Sequence, residues 1–137
     1  MTKKMNFTHI EHIGIAVKSI SEARKFYEDI LGLECYAIEE VKDQKVRTVF
    51  FRLGQTKIEL LESTDTEGPI GKFIAKKGEG IHHIAISVKN LPQALEKIEA
   101  KGVDLIDKIP RKGAEALDIA FIHPRATNGV LIELCEG

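Results

Sequence analysis

Two short stretches of the chain alternate apolar residues with small and polar ones, and they read almost alike. In His12-Ile-Gly-Ile-Ala-Val17, an extended strand sets Ile13, Ile15 and Val17 on one face and His12, Gly14 and Ala16 on the other. His83-Ile-Ala-Ile-Ser-Val88 repeats the pattern at an offset of 71, with Ile84, Ile86 and Val88 opposite His83, Ala85 and Ser87. After each strand the period lengthens to that of an amphipathic helix. The stripe is Ala23, Phe26, Tyr27, Ile30 and Leu31 in the first copy, and Leu91, Ala94, Leu95 and Ile98 in the second. A capping pattern opens each helix, Ser19-Ile-Ser-Glu22 and then Asn90-Leu-Pro-Gln93, and a glycine stops it, Gly32 and then Gly102.

β-Branched and aromatic enrichment between glycine- or proline-bearing breaks predicts further strands over 46–53, 57–61, 117–122 and 130–134. Each copy ends on one shared phrase, Ile58-Glu59-Leu60-Leu61-Glu62 and Ile132-Glu133-Leu134-Cys135-Glu136. The offset there is 74, so the second copy carries a small insertion. The connector 63–80 is polar and holds a short helix from Pro69, with Ile70, Phe73 and Ile74 as its apolar stripe and Gly78 as its stop. The expectation is one α+β domain over 1–137, made of two strand–helix–strands modules at about 8–64 and 79–137. Neither module has an obvious means of covering the second face of its own sheet.

Composition narrows the class. With 137 residues, 43% apolar and 30% charged, the chain has enough for one core and a solvated surface. Twenty Lys and Arg against 21 Asp and Glu leave a net charge of −1, so no global field draws the protein to nucleic acid or to an anionic membrane. The start Met1-Thr-Lys-Lys-Met-Asn-Phe7 is basic but has no apolar run behind it, and no run of about 18 apolar residues occurs anywhere. Cys35 and Cys135 form neither a disulfide framework nor a thiolate metal motif. A cytoplasmic protein with reduced thiols is expected.

The chemistry sits on the polar faces of the repeat. By alternation, Glu59 and Glu133 leave the apolar face of their strands just as His12 and His83 do, with small neighbours that make room for a ligand. A single strand histidine is usually structural and a single strand glutamate usually solvated. Independent surface residues, however, have no reason to recur at matched places. If the modules pack about a pseudo-two-fold axis, His12, Glu59, His83 and Glu133 converge, and two imidazoles with two carboxylates suit a divalent first-row metal. Two bare carboxylates about 4 Å apart would repel by about 4 kcal/mol at an effective dielectric near 20, which favours a bound cation. His9, His82 and His123 do not share the pattern, and His82, on the opposite parity from His83, is expected to be structural or to support a ligand.

These paired phrases resemble the vicinal-oxygen-chelate (glyoxalase) superfamily over nearly the whole chain. Glu39-Glu40-Val41, Lys57-Ile-Glu-Leu-Leu-Glu62, Lys77-Gly-Glu-Gly-Ile-His-His-Ile-Ala85, Phe121-Ile-His-Pro124 and Gly129-Val-Leu-Ile-Glu-Leu134 resemble, more narrowly, its methylmalonyl-CoA epimerases. The resemblance implies two tandem β-α-β-β-β modules forming a curved sheet around one divalent ion of the Co, Ni, Mn or Zn kind, and a homodimer. It implies a CoA thioester as substrate, with Glu133 as a ligand that doubles as acid/base. Some family members use a second acid on the first-half strand, where Val46-Arg-Thr-Val-Phe-Phe51 offers no carboxylate; Glu59 or a water then has to serve. Arg47, Arg52, Lys72, Lys76, Lys77, Arg111 and Arg125 are available to the CoA phosphates. Glyoxalase I shares the two-His, two-Glu set, a non-catalytic binding protein shares the fold, and an extradiol dioxygenase would need a two-His, one-carboxylate triad.

Overall fold

The computed structural model describes residues 4–137, so Met1–Lys3 of the basic start lie outside the described residues. Along the chain run β1 (Asn6–Ala16), α1 (Ile20–Arg24) with a π-helical continuation (Lys25–Ile30), β2 (Cys35–Val41), β3 (Val46–Leu53), β4 (Thr56–Ser63) and α2 (Pro69–Lys77). The second half adds β5 (Gly80–Lys89), α3 (Leu91–Ala100), β6 (Arg111–Lys112), β7 (Asp118–Ile122) and β8 (Ile132–Glu136). Each half is a β-α-β-β-β module. The chain divides into two compact units, His12–His82 and a second made of His83–Gly137 with the segment ending at Glu11. The start of β1 goes with the second unit because Met5 packs on its α3 cluster and Thr8 Oγ1 donates to Ser87 O at 3.4 Å.

In the His12–His82 unit, β2, β3 and β4 are antiparallel neighbours and β4 runs parallel to β1. In the other unit β6, β7 and β8 are antiparallel and β8 runs parallel to β5. The repeat holds at the level of register: Gly14 pairs with Glu59 as Ala85 pairs with Glu133, and Phe50 opposes Glu59 as Phe121 opposes Glu133. The expected strands are all present. The β-α-β-β-β resemblance implies a further strand in each half, and these are β2 and β6; the pattern alone does not locate them, because Glu39 and Glu40 interrupt the β-enriched pattern of the first and the second has two residues.

The capping patterns act as written. Ser19 Oγ accepts from Glu22 N and Asn90 Oδ1 from Gln93 N, each at 3.3 Å, while Gly32 and Gly102 take φ of 73° and 82°. In α3 the whole stripe Leu91, Ala94, Leu95 and Ile98 is buried against Val88, Ala120, Ile122 and Leu134. The first helix departs from its expected stripe. After Arg24 it widens, with Leu31 N bonding back to Phe26 O at 3.0 Å, an i to i−5 link. The wider turn rotates the later residues off the core face. Ala23 and Tyr27 still pack on Val17, Val49, Phe51 and Leu60, but Phe26, Ile30 and Leu31 are exposed. The connector helix α2 belongs to the His12–His82 unit, where Ile70, Phe73 and Ile74 cover Ala16, Val46 and Leu61.

Candidate functional site

Strand alternation carries His12 and Glu59 to the face that lies opposite the α1 cluster. There, His12 Nδ1 stands 3.1 Å from Glu59 Oε2. Both are buried, at 3% exposure each, which is unusual for side chains of this polarity. The residue of β1 directly beside Glu59 is Gly14, which has no side chain to fill the space in front of the carboxylate.

The second unit builds the same pair from the same positions. His83 Nε2 stands 3.4 Å from Glu133 Oε1, both buried, and Ala85 is the strand neighbour of Glu133. The Phe121 ring meets the His83 imidazole edge-on at 5.8 Å between centroids, and with Ala85, Ile119 and Cys135 it forms an apolar cluster on this face. Of the four residues singled out in the sequence, each histidine is thus brought to the glutamate of its own module. A buried imidazole paired with a buried carboxylate, present twice, fits the nitrogen and oxygen donor set of a first-row divalent metal.

The remaining histidines have local roles. His82 faces away from His83 and lies edge-on to Phe73 at 5.0 Å, and burial, with the Lys77 charge nearby, pushes its pKa down to about 4. His123 Nδ1 accepts from Arg125 N at 3.0 Å, and His9 Nδ1 lies 2.9 Å from Thr8 Oγ1. Several cations named for phosphate contact are engaged elsewhere. Arg47 lies between Glu62 and Glu40 at 3.6 and 3.9 Å, Arg125 meets Asp104 at 3.0 Å, and Arg111 pairs with Asp107 at 3.1 Å. Arg52 lies over the Tyr36 ring at 4.6 Å. On β3, Val46, Thr48 and Phe50 share the face of Glu59, so its side chains there include no carboxylate.

One buried charge escaped the sequence reading. Lys57, two residues before Glu59 and therefore on the same face, is 7% exposed. The alternation that assigns Glu59 its face assigns Lys57 the same face, but not its depth.

Comparison with known proteins gives the lineage. Residues 11–121 match the model of the Glyoxalase/Bleomycin resistance protein/Dioxygenase superfamily. The chain is 50% identical to the uncharacterised protein YqjC of Bacillus subtilis, over 93% of this chain and 91% of that one. It is 34% identical to the ethylmalonyl-CoA/methylmalonyl-CoA epimerase of Cereibacter sphaeroides, over 91% of this chain and 95% of the relative. A solved methylmalonyl-CoA epimerase in complex with methylmalonyl-CoA and NH4+ superposes with a TM-score of 0.93 at 34% identity, covering 96% of each chain. With matched β-α-β-β-β modules and similarity along nearly its whole length, the chain belongs to the glyoxalase/bleomycin resistance protein/dioxygenase superfamily, in which the methylmalonyl-CoA epimerases are among its relatives.

Proposed function

We propose that the protein is a metal-dependent epimerase that interconverts the two stereoisomers of methylmalonyl-CoA. The observation that carries this reading is the matched pair of buried His–Glu contacts, His12 with Glu59 and His83 with Glu133. The 34% identity to an ethylmalonyl-CoA/methylmalonyl-CoA epimerase along 95% of that relative supports the choice of substrate. His12, Glu59, His83 and Glu133 are proposed as the ligands of a single divalent ion of the Co, Ni, Mn or Zn kind.

When bound, the ion supplies Lewis-acid stabilisation of the negative charge that develops on the thioester oxygen. The rest falls to side chains. Glu133 takes the proton from the carbon between thioester and carboxylate: the C–H bond breaks, the proton passes to a carboxylate oxygen, and the electron pair moves into the thioester carbonyl as an enolate. Return of a proton to the opposite face completes the inversion, with Glu59 or a water as donor.

A homodimer in the cytoplasm completes the proposal. The exposed Phe26, Ile30 and Leu31 offer apolar surface for association, and no helix among the described residues is long and apolar enough to cross a membrane. Sedimentation of wild type and of Ile30→Glu tests the assembly. The activity is tested by proton–deuterium exchange at the α-carbon of methylmalonyl-CoA in heavy water, with and without a chelator. Exchange that stops on chelation supports the reading. A protein that is inert there but isomerises the hemithioacetal of methylglyoxal and glutathione is a glyoxalase instead.

A further inference from the structure

The cations available to a phosphate do not stand alike. Arg47, Arg111 and Arg125 each meet a carboxylate. Arg52 meets a ring instead: its guanidinium lies over Tyr36 at 4.6 Å and has no carboxylate partner among the described residues. Tyr36 in turn leans on Phe50 at 5.8 Å between centroids, and Phe50 is the cross-strand neighbour of Glu59. A chain of contacts therefore runs, within the His12–His82 unit, from the row of Glu59 to an exposed arginine.

A break in strand register builds this platform. Cys35 opposes Phe51 in the α1 cluster, and in a regular strand Ala37 would share that face, but the register shifts between them and Ala37 opposes Phe50. Tyr36 is the extra residue, and its exposed ring continues outward from the buried Phe50. Arg52 also stands directly across from Lys57, and like charges in opposed positions are unfavourable. The second unit has neither arrangement. There the residue two beyond Phe121 is His123, whose ring closes a turn onto Arg125 N, and the arginine over Phe121 is Arg111, held through Nε by Asp107.

A guanidinium held by stacking keeps its planar edge of N–H donors for an oxyanion, and that fork matches a phosphate. Position decides which anion it meets. From Glu59 on β4 across β3 to Tyr36 on β2 is two strand spacings, roughly 10 Å. The free carboxylate of the substrate is bonded to the reacting carbon and stays with the His–Glu pair, whereas the phosphates lie beyond the pantetheine arm. We propose that Arg52, on the Tyr36 ring, binds a phosphate at the nucleotide end of the CoA thioester. The assignment rests on the epimerase reading above, and it gives the CoA portion of that substrate its anchor.

The test compares dissociation constants of methylmalonyl-CoA and methylmalonyl-pantetheine, which lacks the nucleotide, on the metal-loaded full-length protein. Wild type binds the CoA thioester more tightly, and added salt narrows the difference. In Arg52→Gln the ratio of the two constants falls by about 10-fold, the low end for a charge-assisted hydrogen bond because the arginine is exposed, while affinity for the pantetheine thioester and metal content stay as in wild type. Arg52→Lys, which keeps the charge without the planar fork, recovers part of the ratio. Tyr36→Leu removes the platform, leaves the arginine and lowers the ratio in the same direction. Methylmalonyl-dephospho-CoA locates the contact: an undiminished effect of Arg52→Gln assigns it to the pyrophosphate, a lost effect to the ribose phosphate. A ratio within about twofold of wild type in Arg52→Gln overturns the proposal, as does a wild type that binds both thioesters alike. An equal loss of affinity for both thioesters also overturns it, as does an equal fall in Lys101→Gln, where a charge is removed from the other unit. A wild type that exchanges no α-proton overturns the epimerase reading instead, and the binding ratio still decides the role of Arg52.

Discussion

The carboxylate of Glu62 accepts the backbone N–H of Ile20 at 2.7 Å, closing the first turn of α1. Glu136 does the same for Leu91 at 2.8 Å in the other unit. Both are the last acid of the repeated Ile-Glu-Leu phrase. A spacing of three along a strand sends the two acids of each phrase to opposite faces, so Glu59 and Glu133 reach the polar site while Glu62 and Glu136 meet the positive end of a helix. Glu62→Ala is therefore expected to cost about 1–2 kcal/mol of stability and to leave metal content unchanged. Glu59→Ala is expected to lower metal content, whatever its effect on stability. Urea unfolding and metal analysis of both variants decide it.

His82 gives a pH dependence with a defined sign. Its pKa in the folded protein is pushed down to about 4 by burial, with the Lys77 charge adding to it. The unfolded chain, with a histidine near 6.5, binds more protons in the interval between, so stability is fully present above about pH 6.5 and falls as the pH drops towards 4. The loss from this group amounts to roughly 3 kcal/mol once the pH is below both values. His82→Phe keeps an aromatic partner for Phe73 and is expected to flatten that part of the urea-midpoint profile while retaining metal. His83→Ala is expected to lose the metal. A variant profile as steep as wild type places the acid sensitivity in other groups.

The repeat made most of the fold legible. Matched phrases gave both modules, their helix caps and stops, and the alternation that sets His12, Glu59, His83 and Glu133 on the polar faces of their strands, because those features depend on local period and local hydrogen bonding. Two things were not legible. The π-helical turn after Arg24 keeps the same apolar residues but changes the angle between them, and a stripe counted at 3.6 residues per turn cannot register that. Nor does a sequence reveal depth: Lys57 and Lys72 are both lysines beside apolar residues, and only packing distinguishes the buried one.

The π-helical turn makes its own prediction, since Leu95 and Ile30 both belong to apolar stripes that look alike in sequence. Leu95 is 1% exposed within the α3 cluster, whereas Ile30 is 72% exposed. Leu95→Ala is expected to cost about 2–5 kcal/mol, the range for a buried leucine that leaves a cavity. Ile30→Ser should stay within about 0.5 kcal/mol in the monomer. A comparable loss for both, by chemical denaturation at low protein concentration, would return Ile30 to the core and remove the π-helical turn from the account.

The proton transfers separate the two site glutamates from each other and from metal binding. Glu133→Gln keeps an oxygen able to coordinate weakly but removes the basic carboxylate, so part of the metal affinity survives while α-proton exchange falls steeply. A lost general base costs about 10²–10⁴ in rate. Glu59→Gln is read beside it, with both variants assayed at saturating metal for exchange of the α-proton and for full inversion. If Glu133 abstracts from one stereoisomer and Glu59 returns the proton to the other face, Glu133→Gln blocks exchange of one isomer and Glu59→Gln that of its epimer, and both lose inversion. A small effect at Glu59 with a large one at Glu133 leaves water as the second donor, and a solvent isotope effect on inversion should then grow. Wild-type exchange in a fully metallated Glu133→Gln protein would remove Glu133 as the base, leaving it the role of ligand alone.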